Sequence, residues 1–257
     1  MKKFATICMV LTAVTGFAIQ NVEAAPASTS LALTTDSSLT IFVSTLSGAT
    51  TGSATSFLTG TIDATIDDAS PISSTAEITD AEIDLSDDSL FLDLSLFGGV
   101  EAALIGVGIN SMTSNGGMTL NNTSGVNPFT YTFDPGENNL DATINEGLLT
   151  YNGTGALGGI LGMGTFDFAA DNLDFSLGPV GQIGLLTQNQ NGATVDVTVS
   201  VPVSFSDQIA TDPVTIDVFI TGAFVATGQY IIPEPSTLVL LGLAGLGLVP
   251  VWRRLRK

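Results

Sequence analysis

The side chains in this sequence that could do chemistry are nearly all carboxylates. They are densest between residues 63 and 88. Carboxylate oxygens are the hard ligands that Ca²⁺ and Mg²⁺ prefer. Within this stretch we predict four candidate Ca²⁺ ligands: Asp80, Asp84, Asp87 and Asp88. Because no D-x-[DN]-x-[DN]-G loop accompanies them, a solvated acidic surface neutralised loosely by salt stays open as the alternative.

Most other catalytic groups are missing from the long central part of the chain. The sequence has no His, its one cysteine is Cys8, and all six Lys and Arg residues lie close to its two ends. A Ser-His-Asp triad, a cysteine nucleophile or a lysine-bearing phosphate loop therefore cannot be built there. Paired carboxylates can hydrolyse glycosides, but the one tryptophan, Trp252, belongs to the final segment and not to a cleft. We predict that the protein is not an enzyme.

The charge distribution restricts the partners of the protein. The formal net charge is −19, and the region between Ala25 and Ile232 keeps all 25 acidic residues except Glu23 and Glu234, with no basic residue. Its carboxylates must be hydrated, hydrogen-bonded or neutralised by external cations, because no internal salt bridge can form. Such a surface has no basic patch for phosphates, so we predict no nucleic-acid binding.

The first 25 residues have the pattern of a secretory signal peptide. Lys2 and Lys3 precede a short apolar stretch, Phe4–Ile19, which is followed by small residues suited to cleavage near Ala25. The pattern predicts a signal helix at residues 1–25, with the Sec translocon and signal peptidase as partners. A membrane anchor is the alternative.

The last residues combine a proline motif, an apolar run and a basic end. Pro233, Glu234, Pro235 and Ser236 precede the uncharged segment Thr237–Trp252, and the chain finishes with Arg253, Arg254, Arg256 and Lys257. As a helix the uncharged segment would be about 24 Å long, close to the thickness of a bilayer core. The basic cluster would stop transfer and stay in the cytoplasm, which places the body outside the inner membrane. A buried core helix is the alternative.

This combination over residues 232–257 resembles the PEP-CTERM sorting signal. The resemblance implies an exosortase as partner, a membrane enzyme that recognises Pro-Glu-Pro and removes the helix. It further implies a protein that is transiently anchored in the inner membrane and then passed to the cell surface or extracellular matrix. Proteins with this signal often accompany exopolysaccharide and biofilm genes.

The region between these ends, 26–231, is predicted to be an acidic all-β body with an antiparallel, β-sandwich-like fold. Apolar residues alternate with polar ones in VDVTVSVPVSF (195–205) and in FTYTFD (129–134), and turn-forming clusters separate such stretches. Pro202 predicts a sheet edge at its position. Residues 26–37 are interpreted as a polar lead-in, and 99–109 as either a helix or a strand.

These observations favour an exported, non-enzymatic surface or matrix protein. Its acidic body would act as a structural or adhesive element, bridged by divalent cations to an anionic exopolysaccharide. An all-β binding module that holds an apolar ligand between its sheets is the alternative. An internal apolar cavity of several hundred Å³ would favour that alternative, and a filled core would favour the structural role.

Overall fold

The computed structural model describes residues 26–45, 50–67, 75–87, 89–93, 98–136, 140–156, 158–177, 182–211 and 214–232. The predicted signal helix at 1–25 and the predicted transmembrane helix at 237–252 lie outside these residues. Within them, no helix is long and apolar enough to cross a membrane.

The described chain is built almost entirely of β-strands, with one four-residue helix, α1 (Gly158–Leu161). The strands are Ala27–Leu33 (β1), Ser38–Thr45 (β2), Thr50–Ile66 (β3), Thr75–Leu85 (β4), Ser89–Asp93 (β5), Gly99–Ser114 (β6), Met118–Thr119 (β7), Asn121–Asn122 (β8), Phe129–Phe133 (β9), Leu140–Gly153 (β10), Met163–Asp167 (β11), Leu173–Ser176 (β12), Gly184–Asn191 (β13), Thr194–Thr211 (β14) and Val214–Ile231 (β15). The segment that the sequence left open between helix and strand is part of β6.

All fifteen strands belong to one antiparallel sheet. This confirms the predicted all-β antiparallel body, but the strands form a single continuous sheet and not the two separate sheets of a sandwich. Its main path runs β11-β10-β6-β4-β3-β1-β15-β14-β13-β9-β8. The interpretation of residues 26–37 as a polar lead-in is wrong, because β1 lies between β3 and β15 and its Leu31 is completely buried. Ala27 and Thr29 are also buried in β1, and such small or polar residues do not mark a strand by composition.

One face of the sheet forms the core, as the alternating pattern predicts. In β14 the buried positions are Val195, Val197, Val199, Val201 and Val203. The sheet curls so that distant strands face each other across this core. Side chains of β4 and of β13, which have four other strands between them in the sheet, line the same small cavity of about 20 Å³.

β1 and β2 lie end to end between β3 and β15, and each of them pairs with both of these strands. A buried serine bridges the gap between β1 and β2. The Ser37 hydroxyl accepts a hydrogen bond from the Val225 backbone N–H at 2.9 Å and donates to the Val225 carbonyl at 2.8 Å. The backbone N–H of Leu58 donates to the Ser37 carbonyl from the other side. A side chain thus takes the place of the missing backbone partner, which keeps the central strands together.

Pro202 lies at a local edge, as predicted. The ladder between β13 and β14 stops at the pair of Leu185 and Ser200, whereas β14 continues to pair with β15 as far as Thr211. Among the described residues, Pro202 therefore has a neighbouring strand on the β15 side only, and its missing N–H breaks no ladder of theirs on the other side.

A bend divides the long β6–β10 ribbon into two parts. The register of the two strands shifts several times between Thr143 and Leu148, and Gly106 and Gly147 adopt positive φ at this place. Before the bend β10 pairs with β12, and beyond it β10 pairs with β11, while β6 pairs with β5. Bulges of this kind re-aim strands, so the four strands beyond the bend form a separate platform.

Candidate functional site at the chain ends and on the acidic face

The central strand β15 leads directly into the predicted sorting motif. Its last residue, Ile231, pairs with Thr194 of β14, and the backbone N–H of Ile232 donates to the Ala193 carbonyl at 2.8 Å. Ile232 is partly buried and packs against the hydrophobic core. The ordered fold therefore extends to the residue before Pro233, with no linker between the sheet and the motif.

The beginning and the end of the body lie at the same end of the sheet. β1 runs antiparallel to β15, with Ala32 opposite Thr227, so the start of β1 lies beside the end of β15. The Thr29 hydroxyl strengthens this arrangement by donating to the Gln229 carbonyl at 3.0 Å. The two predicted membrane-directed segments, 1–25 and 237–252, are consequently joined to the body at one end.

The structure places two of the predicted Ca²⁺ ligands, Asp80 and Asp84, on the outer face of β4. Both are exposed, as are Glu77 and Glu82 on the same strand. Asp80 is directly opposite Asp63 of β3, and Asp84 is opposite Thr59. Like charges that face each other across two strands destabilise the pair unless counterions are present. This acidic face, defined by Asp63, Glu77, Asp80, Glu82 and Asp84, is where external cations are most needed.

Asp87, the third predicted ligand, has a different partner. The Asp87 carboxylate accepts a hydrogen bond from the Gly106 backbone N–H at 2.8 Å, which ties the end of β4 to the bend in β6. Asp88 lies outside the described residues. Among the residues that the structure describes, no three acidic side chains come together as a group that could hold a metal ion.

Neutral donors bind several carboxylates in this body without cations. The Asp196 carboxylate accepts from the Asn191 side-chain amide at 3.1 Å and from the Gln229 amide at 2.6 Å. The Asp174 carboxylate accepts from the Thr143 hydroxyl at 2.7 Å. Hydrogen-bonded carboxylates are expected from the sequence, but their donors are not identifiable from it. The only sequence signal for these donors is the high content of Asn, Gln and Thr. The strand register decides which of these side chains lies beside which carboxylate.

The predicted sorting residues Pro233, Glu234, Pro235 and Ser236 and the basic cluster Arg253, Arg254, Arg256 and Lys257 lie outside the described residues. The described part of the chain is an antiparallel all-β domain, and its central strand β15 leads through Ile232 directly to Pro233. Residues 232–257 match the family model described as the PEP-CTERM protein-sorting motif. The chain therefore carries a PEP-CTERM sorting signal, which implies an exported protein sorted by an exosortase and transiently anchored at the membrane. No curated protein and no solved structure matches the chain significantly.

Proposed function

We propose that this chain is an exported, non-enzymatic surface or extracellular-matrix protein. A signal peptide directs it through the Sec translocon, signal peptidase removes residues 1–25, and the helix at 237–252 holds the body on the periplasmic side of the inner membrane. An exosortase then acts at Pro233-Glu234-Pro235 and passes the body to the cell surface or matrix. The observation that carries the proposal is the match of residues 232–257 to the PEP-CTERM sorting motif.

The geometry of the body supports this order of events. Both membrane-directed segments are joined to one end of the sheet, so insertion of both into one membrane demands no rearrangement of the strands. The hydrogen bond from Ile232 to Ala193 holds the chain up to the residue before the motif. The motif therefore begins directly after a hydrogen-bonded residue, and its two prolines favour the extended backbone that a processing enzyme can grip.

The role proposed for the released body is structural, in association with exopolysaccharide and biofilm. The cavity between the facing parts of the sheet holds only about 20 Å³, which supports a filled core over an apolar-ligand module. No three described carboxylates form a metal site, so the acidic face on β3 and β4 would hold divalent cations such as Ca²⁺ loosely, shared with an anionic polysaccharide that completes their coordination.

The sorting step is tested by replacing the two prolines of the motif. In the double variant Pro233→Ala, Pro235→Ala we expect a chain that keeps its C-terminal segment to accumulate in the membrane fraction, because the prolines no longer restrict the backbone of the motif to extended conformations. Pro202→Ala is the matched control, since Pro202 lies in β14 at a local sheet edge. Normal processing of the double variant, measured by cell fractionation and immunoblotting, would contradict the proposal.

The cation-bridging role is tested with alginate, an anionic polysaccharide, at millimolar Ca²⁺. The triple variant Asp80→Asn, Glu82→Gln, Asp84→Asn should reduce Ca²⁺-dependent capture about fivefold, as expected for about 1 kcal/mol of lost exposed ion pairing. The control variant Asp36→Asn, Asp167→Asn, Asp171→Asn removes the same charge elsewhere and should bind like the wild type. Equal losses in both variants would show that only net charge matters. Capture that does not depend on Ca²⁺ would rule the bridge out.

A further inference from the structure

A groove of about 710 Å³ lies on the platform beyond the β6–β10 bend. It covers one face of the four strands β5, β6, β10 and β11. The strand register places two cross-strand rows of side chains on this face. One row runs Phe91, Glu101, Asn152 and Met163, and the neighbouring row has Ala103 and Thr150 at its centre. The volume falls within the range of roughly 300–1,000 Å³ that is typical of ligand sites.

The two rows give the groove apolar ends, a polar centre and a low floor. Phe91 at one end is 53% exposed and Met163 at the other end is 83% exposed. Glu101 and Asn152 between them present a carboxylate and an amide, and the small side chains of Ala103 and Thr150 leave the space open. Four strands about 4.8 Å apart span about 14 Å, which suits a short chain of linked rings better than one small molecule.

The platform that carries the groove is supported from behind. Leu104 of β6 and Leu149 of β10, opposite each other in the ladder, are partly buried and pack against the hydrophobic core. The hydrogen bond from Gly106 to the Asp87 carboxylate fixes the approach to the platform. Side chains on paired strands keep their spacing more precisely than side chains on loops, so the groove is preorganised.

The lining chemistry narrows the class of ligand. A phosphate-bearing or acidic ligand would meet Glu101 in a body without a single basic residue. A purely apolar ligand would leave Glu101 and Asn152 buried without hydrogen bonds. An extended peptide binds most readily along a free strand edge, whereas this groove crosses a face whose backbone groups are paired in ladders.

We propose that this groove binds a neutral sugar chain. The apolar face of a sugar ring would stack on Phe91, and Met163 would contact a second ring at the far end. Ring hydroxyls would donate to the Glu101 carboxylate and exchange hydrogen bonds with the Asn152 amide and the Thr150 hydroxyl. This activity goes beyond the proposed function, because it requires neither sorting nor a divalent cation, and it involves a different surface from the acidic face.

The test is calorimetric titration of the purified full-length chain, kept in a detergent whose headgroup is not a sugar. The probes are cellohexaose, maltohexaose and chitohexaose, with EDTA present to remove divalent cations. We expect at least one of them to bind saturably. Phe91→Ala should weaken that binding about tenfold through loss of ring stacking. Ala103→Trp, which fills the floor, should abolish it. Phe57→Ala is the matched control, since Phe57 is 61% exposed on β3 and should leave binding unchanged.

Three results would overturn the proposal. The first is the absence of saturable heat with all three oligosaccharides. The second is binding that persists equally in the Phe91→Ala and Ala103→Trp variants. The third is self-association of the chain that Phe91→Ala removes and the oligosaccharides do not affect, which would assign the groove to a second copy of the protein. Circular dichroism of each variant shows that the fold is retained, and none of these results bears on exosortase processing.

Discussion

Single hydroxyl groups hold several strand junctions of this protein together. Ser37, in the gap between β1 and β2, bonds to Val225 of β15. Ser114 repeats the arrangement by accepting from the Ile78 backbone N–H at 3.1 Å. Thr154 is placed in the same way against Gly99. A body without cations thus uses neutral donors and acceptors both for its strand breaks and for carboxylates such as Asp196.

Replacing the buried hydroxyl at the centre of the sheet tests this at the scale of one residue. Ser37→Ala removes the acceptor of the part-buried Val225 N–H, so we expect the free energy of unfolding to fall by about 1–3 kcal/mol. Ser28→Ala is the control, because Ser28 is exposed, and its effect should stay within about 0.5 kcal/mol. Urea denaturation followed by circular dichroism measures both. Equal stabilities of the two variants would show that the hydroxyl is not what holds the junction.

The sequence does not reveal which hydroxyl groups join strands in this way. The chain is rich in Ser and Thr, and nothing local distinguishes Ser37, which is completely buried, from the exposed Ser28. The difference arises from the distant Val225, which the sheet brings to Ser37 across 188 residues. The opposition of Asp63 and Asp80 was hidden for the same kind of reason, because it depends on strand register.

At the scale of the element, the β6–β10 ribbon positions the groove through its bend. Gly147 has φ +90°, and a Cβ added there would lie 2.3 Å from the Gly106 carbonyl oxygen. The bend therefore needs glycine for its backbone conformation and for the close approach of the two strands. The bend separates the part of the ribbon that pairs with β12 from the part that pairs with β5 and β11.

Gly147→Ala should therefore destabilise the protein by several kcal/mol, since strained φ alone costs about 1–3 kcal/mol and the clash adds to it. Gly192→Ala is the matched control, because Gly192 also has positive φ (+67°) but open space around it. We expect the melting temperature to fall much further for Gly147→Ala than for Gly192→Ala. Similar melting temperatures would mean that the close approach of Gly147 and Gly106 does not hold the bend.

Strands with strict alternation were predictable, and strands without it were not. The five buried valines of β14 mark that strand in the sequence. β13 was missed because its buried positions include Gly184 and Gln188, which look like part of a turn by composition. Such residues are accommodated by their neighbours: a Cβ at Gly184 would contact the Phe133 ring of β9. Tertiary packing, which a single strand does not encode, decides these cases.

At the scale of the whole molecule, the start of β1 and the end of β15, from which the two signal segments continue, lie at the same end of the sheet. The sorting motif was predictable because its signal is local and linear. The position of both ends at one end of the sheet was not, because it follows from the pairing of β1 with β15 across about 200 residues. These features fit the proposed order of events, in which the body is held at one end and is released by cleavage at the motif.

The most direct test of this account is the intact mass of the surface or extracellular protein in cells with and without the exosortase. With the enzyme, we expect a chain that begins near Ala25 and lacks Thr237–Trp252 and the basic cluster. Without the enzyme, we expect a longer chain that remains in the membrane fraction. Surface protein that still carries the C-terminal Arg253-Arg254-Leu255-Arg256-Lys257 in cells with an active exosortase would contradict it.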